Sequence, residues 1–483
     1  MPAAQGSVRL LQLAVAYFLA LKLAYGVTVP PDGDAGYYWL WGGHPQLSYF
    51  DHSPLVGWTS GISRLLFGWT PLGLQFPAMV TFLVLVFALH RAARWLAPEN
   101  PERHFWLTLA IFCASPLLYA LTTLNYPDHL LICFSTLALL LIGRYLNGAI
   151  SHAERHADLY LGAAFLGFAG LSKYNAVFIP AGLLVVLIAD RRFRRLFRSP
   201  HLYLAGALCF AITLPVLIWN AQNHFASVEL HTAERLNSYD DPFTPLMLVR
   251  LLAVSALMFS PFLIVPLCRF MFGRAARPEQ GGIIQIARGT ALVSTLVLLP
   301  LSTWAALGKQ VYPHWMVLSF LPFLLVAPFY LRSRWLVRLH LGWGVAINTL
   351  AVIYLVLAPL PTTLLGIEDR EASRTFGREQ VAAEVDRLAA EHGITHIGGD
   401  SYVALSRLAF GRGSDANLTD FGGRIDRLTQ VQLTPGEDLL LLGDPEDFAE
   451  HFDSIEPLTT VTPMRFGLPL DSQQILLGRG YRP

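Results

Sequence analysis

Apolar segments of about twenty residues recur from the N-terminus of this 483-residue chain to about residue 357, and they constrain its fold more than any other feature. A helix of roughly 20 apolar residues crosses the hydrocarbon core of a bilayer. Hydrophobic residues make up 54% of the chain, charged residues only 14%, and the mean hydropathy is +0.45. These values exceed those of ordinary soluble domains. We therefore predict an α-helical polytopic membrane protein.

About eleven transmembrane helices are predicted. The segment near 9–30 resembles a signal peptide, but no small-x-small cleavage site precedes Pro30-Pro31, so we expect it to be retained as the first span. The predicted spans lie near residues 9–30, 72–92, 104–122, 127–146, 157–172, 174–190, 201–219, 246–270, 285–307, 313–331 and 335–357.

Charge is distributed unevenly between the predicted loops, although the formal net charge is only +1. Alternate loops carry the arginines, among them the run from Arg191 to Arg198, and the positive-inside rule places these loops in the cytoplasm. The remaining loops carry most of the acidic and lysine side chains. The N-terminus is then inside and the C-terminus outside, and the candidate catalytic groups gather on the outer face.

Residues 361–483 form a second predicted unit after the membrane domain of residues 1–360. A charged helical pattern covers 371–392, and apolar strand patterns cover 394–397 and 439–442. We expect a small soluble α/β domain on the extracytoplasmic side. Because this unit contains no glycine-rich, Walker or zinc motif, no nucleotide or metal site is expected there.

The first outer loop is the most informative stretch. It reads Pro30-Pro31-Asp32-Gly33-Asp34-Ala35-Gly36-Tyr37-Tyr38-Trp39-Leu40-Trp41, followed by Tyr49-Phe50-Asp51-His52-Ser53-Pro54-Leu55. An acidic residue beside aromatic side chains at the membrane surface can meet a hydroxyl acceptor and a lipid-linked sugar. On residue type alone, an interfacial aromatic belt and acidic turn or cap residues explain the same pattern.

This loop resembles the signature Asp-Glu-Ala-Tyr-Tyr-Trp followed by Tyr-Tyr-Asp-His-Pro-Pro-Leu. That signature belongs to the glycosyltransferase C superfamily of the protein O-mannosyltransferase and lipid A aminoarabinosyltransferase type. Further motifs resemble the family in the same order: Tyr126-Pro127-Asp128-His129-Leu130-Leu131, Leu171-Ser172-Lys173-Tyr174, Pro215-Val216-Leu217-Ile218-Trp219-Asn220, and Lys309-x-x-x-x-His314-Trp315. The resemblance covers nearly the whole chain.

Two positions depart from the family pattern. Ala35 stands where the family has a glutamate after its catalytic aspartate, and Ser53 replaces the first proline of the Asp-His-Pro-Pro element. Hard divalent cations prefer several oxygen ligands, so the missing carboxylate argues against a metal beside Asp34. We expect no cofactor, and a divalent metal has no support.

The resemblance implies that an acceptor nucleophile displaces a lipid phosphate at the anomeric carbon of a sugar. It identifies Asp34 as the base that takes the acceptor proton, with inversion at the anomeric carbon. Lys173 and Lys309 are the cations expected to stabilise the departing phosphate. Tyr37 and Tyr38 are the aromatic residues expected at the donor.

Four further residues have both a functional and a structural interpretation. Asp128 orients the base or binds acceptor, or it only caps the dipole of the helix behind Pro127. Asp51 and His52 hold the donor, or they fix the loop. His314, with Trp315, binds and orients substrate, or Trp315 belongs only to the interfacial aromatic belt. Lys173 has a similar alternative, since lysine at a span end snorkels to the interface.

We accordingly predict a glycosyltransferase of the bacterial inner membrane with a multi-pass fold and a periplasmic active site. Its partners are a polyprenyl-phosphate-linked sugar donor, a lipid or glycolipid acceptor and membrane lipids, with no nucleic acid. The sequence leaves the sugar and the acceptor open. The alternatives are a multispan lipid or glycolipid transporter, and an inactive relative that binds a lipid-linked glycan; transporters, however, place ionisable residues near the bilayer midplane and often repeat their halves.

Overall fold

The computed structural model describes residues 2–230, 245–273, 280–307, 312–331, 333–366, 369, 374–429 and 431–483. The chain divides into two compact units. Unit 1 comprises Met1–Leu23, Leu47–Val56 and Ala78–Leu350, and unit 2 comprises Ala24–Gln46, Gly57–Pro77 and Ala351–Pro483. The division at residue 360 remains a prediction about domains.

The described residues are mostly helical. The helices are α1 (Pro2–Thr28), α2 (Gly33–Trp41), α3 (Leu55–Phe67), α4 (Pro71–Leu96), α5 (Pro101–Ala114), α6 (Pro116–Leu121), α7 (Pro127–Ile150), α8 (His156–Ser172), α9 (Phe178–Ala189), α10 (Pro200–Gln222), α11 (Ala226–Glu229), α12 (Pro245–Phe259), α13 (Ile264–Phe272), α14 (Gly281–Leu307), α15 (Val317–Tyr330), α16 (Arg334–Val356), α17 (Leu360–Leu365), α18 (Arg378–His392), α19 (Tyr402–Arg412) and α20 (Asp426–Thr429). Short 3₁₀ turns join several of them.

Seven helical segments within the described ranges are long and apolar enough to cross a membrane. They are Val8–Thr28, Pro71–Leu96, Pro127–Ile150, Pro200–Gln222, Gly281–Ala306, Pro313–Tyr330 and Arg334–Val356. The pair Pro245–Phe259 and Pro261–Phe272 makes an eighth if it is one span, bent by 87°. The protein is a multi-span membrane protein, as its sequence predicts.

The other three predicted spans correspond to shorter helices. Segment 104–122 is divided between α5 and α6 because Pro116 has no N–H to continue the helix and disfavours a helical conformation at Ser115. Helix α8 has 17 residues, and Tyr174–Ala189 is a shorter apolar helix. Every predicted span therefore contains helix, while eleven full crossings and the inside position of the N-terminus remain predictions.

A mixed five-stranded sheet forms the C-terminal part of unit 2, in the order β2-β1-β3-β7-β4. Strand β1 pairs in parallel with β2 and β3, whereas β7 pairs antiparallel with β3 and β4. A small hairpin joins β5 and β6. The strands are β1 (Ile397–Gly399), β2 (Leu418–Asp420), β3 (Leu439–Leu442), β4 (Phe452–Val461), β5 (Met464–Arg465), β6 (Leu468–Pro469) and β7 (Gln473–Tyr481).

Strand β3 consists of four buried leucines because it is a central strand with both faces covered. Leu439 and Leu441 join Phe448, Phe452 and Leu476 in the hydrophobic core of this sheet. After β1 the chain passes through Asp400 to Ser401, whose hydroxyl accepts a hydrogen bond from Ala404 N and caps α19. The cap makes Tyr402 the first residue of α19, and from this position its hydroxyl reaches Asp34.

Candidate active site

Asp34 lies in the first turn of helix α2 and is exposed. The carboxylate of Asp32 caps this helix by accepting a hydrogen bond of 2.9 Å from Ala35 N. Asp32 thus has the structural role of a helix cap, and Asp34 keeps its carboxylate available. The positive end of the helix dipole favours an anionic side chain at this position.

Tyr402 fixes the carboxylate of Asp34. Its hydroxyl donates a hydrogen bond of 2.9 Å to Asp34 Oδ1. The Tyr402 ring lies 4.8 Å from the ring of Tyr37 and has the guanidinium of Arg424 4.6 Å above it. These contacts hold the phenol in place, so its hydrogen bond can orient the proposed base.

Two glycines allow α2 to approach α19 closely enough for this hydrogen bond. A Cβ atom at Gly33 would lie 2.3 Å from Cγ1 of Val403, and one at Gly36 would lie 3.2 Å from Cβ of Ser406. Real Cβ atoms do not approach a neighbour to 2.3 Å. The glycines of the sequence signature therefore serve helix packing.

The aromatic residues of the first outer loop are buried. Tyr37 is 3% exposed, Tyr38 is 7% exposed, and Trp39 and Trp41 are fully buried. The Trp41 ring contacts both tyrosine rings edge-on, at 5.2 Å from Tyr37 and 4.9 Å from Tyr38. Their burial favours packing over a lipid-facing belt, and a donor contact by Tyr37 and Tyr38 remains a prediction.

A half-buried carboxylate, that of Asp415, holds the loop after α2. Arg64 donates two hydrogen bonds to Asp415, at 3.0 Å and 3.1 Å, and the ring of His44 lies 3.2 Å from the same carboxylate. Burial raises the pKa of Asp415, but the hydrogen bonds from His44 and Arg64 outweigh it and hold the pKa well below its usual range. The sequence carries no local signal for this contact.

Within unit 1, Asp128 and Lys173 form a buried ion pair. The Nζ atom of Lys173 lies 2.9 Å from Asp128 Oδ1 and 2.8 Å from Oδ2. Asp128 lies in the first turn of α7, and Lys173 is the C-cap residue of α8. The side chains are only 2% and 6% exposed, so Lys173 does not snorkel to solvent. A buried pair of this kind needs both partners.

Asp51 and His52 lie in a tight turn of unit 1. The carbonyl of His52 accepts hydrogen bonds from Tyr49 N at 3.2 Å and from the Ser48 hydroxyl at 3.4 Å. Ser227 in turn donates to the carbonyl of Tyr49 at 3.0 Å. Asp51 is 4% exposed. The backbone of His52 thus fixes the loop, and a substrate role for either side chain remains a prediction.

His314 belongs to a 3₁₀ turn, Pro313–Met316, and is half-buried. The amide of Asn175, just after Lys173, donates a hydrogen bond of 3.2 Å to the carbonyl of Trp315. This bond connects the Ser-Lys-Tyr segment to the His-Trp segment. Lys309, the other predicted phosphate-binding cation, lies outside the described residues.

Lys22 is a buried cation that lies outside the family motifs. Its Nζ atom donates to Thr123 Oγ1 at 2.6 Å, Thr122 Oγ1 at 2.9 Å and the carbonyl of Tyr119 at 3.1 Å. These three oxygens lie at the C-terminal end of helix α6, where the negative end of the helix dipole favours a cation. The sequence marks this residue, because a lysine inside an apolar span is unusual and often functional.

No group of three or more histidine, cysteine, aspartate or glutamate side chains that could hold a metal occurs in the part of the chain that the structure describes.

An apolar groove of about 560 Å³ lies in unit 1 beside the Lys173 segment. Helices α8 and α10 supply most of its lining, and Gly170 and Tyr174, on either side of Lys173, also line it. The lining includes the amide of Asn220, the last residue of the Trp-Asn motif. The groove has the volume of a small-molecule site.

The described residues thus belong to a multi-span membrane protein with a candidate base, Asp34, and a buried Asp128 and Lys173 pair. Residues 51–219 match the family model described as dolichyl-phosphate-mannose-protein mannosyltransferase. The chain therefore contains a domain of this membrane glycosyltransferase family, and the resemblance predicted from the motifs is confirmed.

A sequence match and a fold match to other proteins agree with this family domain. The chain is 32% identical over 120 residues to the lipopolysaccharide core galacturonosyltransferase RgtB of Rhizobium johnstonii, and this match covers 24% of each chain. Its fold is similar to that of ArnT from Cupriavidus metallidurans. The apo structure gives a TM-score of 0.62 at 15% identity and covers 98% of both chains. The structure bound to undecaprenyl phosphate gives 0.62 at 16% identity, with 96% and 97% covered.

Proposed function

We propose that this protein is an inverting glycosyltransferase that moves a sugar from a polyprenyl-phosphate donor to a lipid, lipopolysaccharide or protein acceptor. The reaction takes place on the periplasmic face of the bacterial inner membrane. The observation that carries the proposal is the exposed carboxylate of Asp34, oriented by Tyr402 at a helix N-terminus, in a chain with the family domain.

In the proposed reaction, an acceptor hydroxyl attacks the anomeric carbon of the donor sugar. The new bond joins the acceptor oxygen to that carbon, and the bond from the carbon to the phosphate oxygen breaks. Asp34 takes the hydroxyl proton, and polyprenyl phosphate leaves with the bonding electrons. Attack from the face opposite the phosphate inverts the anomeric configuration.

The departing phosphate needs a cation, and Lys173 is our candidate within the described residues. The two-point contact with Asp128 places its ammonium group and keeps the buried charge compensated. We assign Asp128 a positioning role toward Lys173. Tyr37 and Tyr38 as donor contacts, and Asp51, His52 and His314 as substrate-orienting residues, complete the proposal.

The apolar groove supports a lipid-linked donor. Its lining includes Leu166, Leu202 and Phe210, and an isoprenoid chain offers only apolar surface to such side chains. Tyr174 and Gly170 bring the groove next to the residue proposed for the phosphate. ArnT, whose fold is similar, has been solved with bound undecaprenyl phosphate, and this supports a lipid-linked donor.

The test is transfer of label from polyprenyl-phosphate sugars by the purified wild-type protein. A panel of radiolabelled donors with aminoarabinose, galacturonate and mannose is incubated with a total envelope extract, and the product is separated from the donor. Label on a new lipid, lipopolysaccharide or protein supports the proposal. Label that only crosses the membrane of proteoliposomes, with the donor intact, indicates a transporter and contradicts it.

A further inference from the structure

A polar cavity of about 410 Å³ lies wholly within the C-terminal part of unit 2, and the reaction proposed above does not use it. We name it the arginine cavity after Arg374, Arg378 and Arg407, which line it together with Asp400, Ser401 and Gln474. Its volume lies in the range of sites for small molecules. The lining offers both donors and acceptors.

Arg378 carries the strongest signal in this cavity. It begins helix α18 and is only 8% exposed. Its guanidinium lies 5.0 Å from the ring of Phe410, and its Nε atom has no hydrogen-bond partner among the described residues. A buried guanidinium is costly unless its N–H groups find acceptors, and carboxylate and phosphate oxygens are the acceptors that it binds best.

The two terminal nitrogens of Arg378 have partners: Nη1 donates to the carbonyl of Thr375 at 3.4 Å, and Nη2 pairs with Glu379. Its contact with Glu379, at 2.7 Å, involves a glutamate side chain that is 62% exposed, and such pairs contribute little. Asp471 pairs with Arg374 instead. Arg407, 6% exposed, adds a second buried guanidinium to the lining.

The remaining lining suits the hydroxyl groups of a sugar. Asp400 accepts hydrogen bonds, while Ser401 and Gln474 both donate and accept them. Sugar hydroxyls need partners of both kinds around one ring. A cavity that served only a small anion would not require this set of acceptors.

We propose that the arginine cavity binds an anionic sugar of the acceptor, with its carboxylate or phosphate on Arg378 and Arg407 and its hydroxyls on Asp400, Ser401 and Gln474. This inference rests on the proposed function, because it gives unit 2 the recognition of an acidic glycan acceptor. The acceptor class then narrows to glycans that bear uronate or sugar phosphate groups.

The test is calorimetric titration of the full detergent-solubilised protein, without donor, with glucuronate, glucose 6-phosphate and glucose. At least one charged sugar should bind ten-fold or more tightly than glucose, and which one binds distinguishes a carboxylate from a phosphate. Inorganic phosphate and acetate should bind at least ten-fold more weakly than that sugar. Equal binding of the anion alone, or no charged-sugar binding, contradicts the proposal.

Two variants and one control locate the site. Arg378→Gln should weaken charged-sugar binding at least ten-fold, whereas Arg387→Gln, on the exposed face of the same helix, should leave it unchanged. Gln474→Trp covers the cavity from an exposed strand position and should abolish binding without removing a buried charge. Full binding by the folded Gln474→Trp variant contradicts the location.

The outcome is separable from that of the proposed function. Sugar transfer to an envelope acceptor without any charged-sugar binding contradicts the inference alone. Charged-sugar binding that the variants remove, in a protein that transfers no sugar from any donor, supports the cavity and counts against the proposed reaction.

Discussion

The hydroxyl of Tyr402 donates a hydrogen bond of 2.9 Å to the carboxylate of Asp34, 368 positions away in the sequence. The residue proposed as the base thus depends for its orientation on the first residue of α19. A carboxylate held in one rotamer presents its free oxygen to an acceptor hydroxyl in a fixed direction. This relationship gives the C-terminal part of the chain a positioning role in the proposed reaction.

Replacing Tyr402 by phenylalanine should lower kcat about ten-fold, or about 1.4 kcal/mol in the barrier, while KM changes little. The ring and its packing on Tyr37 remain, and only the bond that orients Asp34 is lost. The measurement is steady-state transfer with saturating donor. Tyr481→Phe, in strand β7, is the matched control and should behave as wild type; a Tyr402→Phe variant with full kcat would show that the bond does not matter.

The Asp128 and Lys173 pair should show strong coupling in a double-mutant cycle. Lys173→Met leaves the buried carboxylate of Asp128 without its partner, and Asp128→Asn leaves the buried ammonium group of Lys173 without its partner. Each single change should lower the free energy of unfolding by about 3–5 kcal/mol. The combination should recover part of that loss. The stability of each detergent-solubilised variant is measured by thermal unfolding, and the coupling is calculated from the four proteins of the cycle.

Measuring sugar transfer in the same variants separates the structural role of the Asp128 and Lys173 pair from its proposed role in the reaction. The double variant should regain stability and still lack transfer, because the cation for the departing phosphate is absent. Additive stability effects would contradict the ion pair, and an active double variant would exclude Lys173 from the chemistry.

The close approach of α2 and α19 predicts a size-dependent effect at Gly33. Gly33→Ala places a methyl group against Val403 and should cost about 1–3 kcal/mol, with a parallel loss of transfer. Adding Val403→Ala makes room and should restore both quantities. Failure of this rescue would mean that Gly33 is required for a reason other than its contact with Val403.

Stability should fall at acid pH through Asp415. Its pKa is held below the usual value, so its contribution is complete above about pH 4, the ordinary pKa of aspartate, and is lost as the pH falls below it. Asp415→Asn should reduce stability by about 2–4 kcal/mol near neutral pH, since it weakens bonds to Arg64 and His44.

The acid effect is measured as Tm between pH 3 and pH 7. The difference between wild type and Asp415→Asn should narrow as the pH approaches 3. A difference that stays constant over this range would show that the charge of Asp415 has no role in stability.

The sequence predicted the apolar spans and the C-terminal strand at 439–442 because both are local properties. Apolar runs at 127–146 and 201–219 need only length and composition, and the strand at 439–442 shows four adjacent leucines. The bend of 87° between α12 and α13 was not predicted, because residues 246–270 were predicted as one span. It occurs at Ser260, just before Pro261, where the φ of Ser260 is +114°, an unusual value for a residue other than glycine.

The contacts between distant segments could not be predicted from local pattern. Asp128 and Lys173 are 45 positions apart, and only the packing of α7 on α8 joins their ends. Tyr402 lies in a segment with no motif, so the single sequence carried no signal for it. Lys22, in contrast to Tyr402, can be singled out from the local sequence, because a lone lysine in an apolar helix is unusual. It lies outside the family motifs.

The most direct test of the account is sugar transfer by Asp34→Asn beside wild type and the exposed control Asp386→Asn, with a radiolabelled polyprenyl-phosphate sugar and an envelope extract. Wild type and the control should transfer label at similar rates. Asp34→Asn should keep its Tm and lose at least 99% of the rate, a loss of about 2.7 kcal/mol or more in transition-state stabilisation. A folded Asp34→Asn protein that transfers label at the wild-type rate would contradict the assignment of Asp34 as the base.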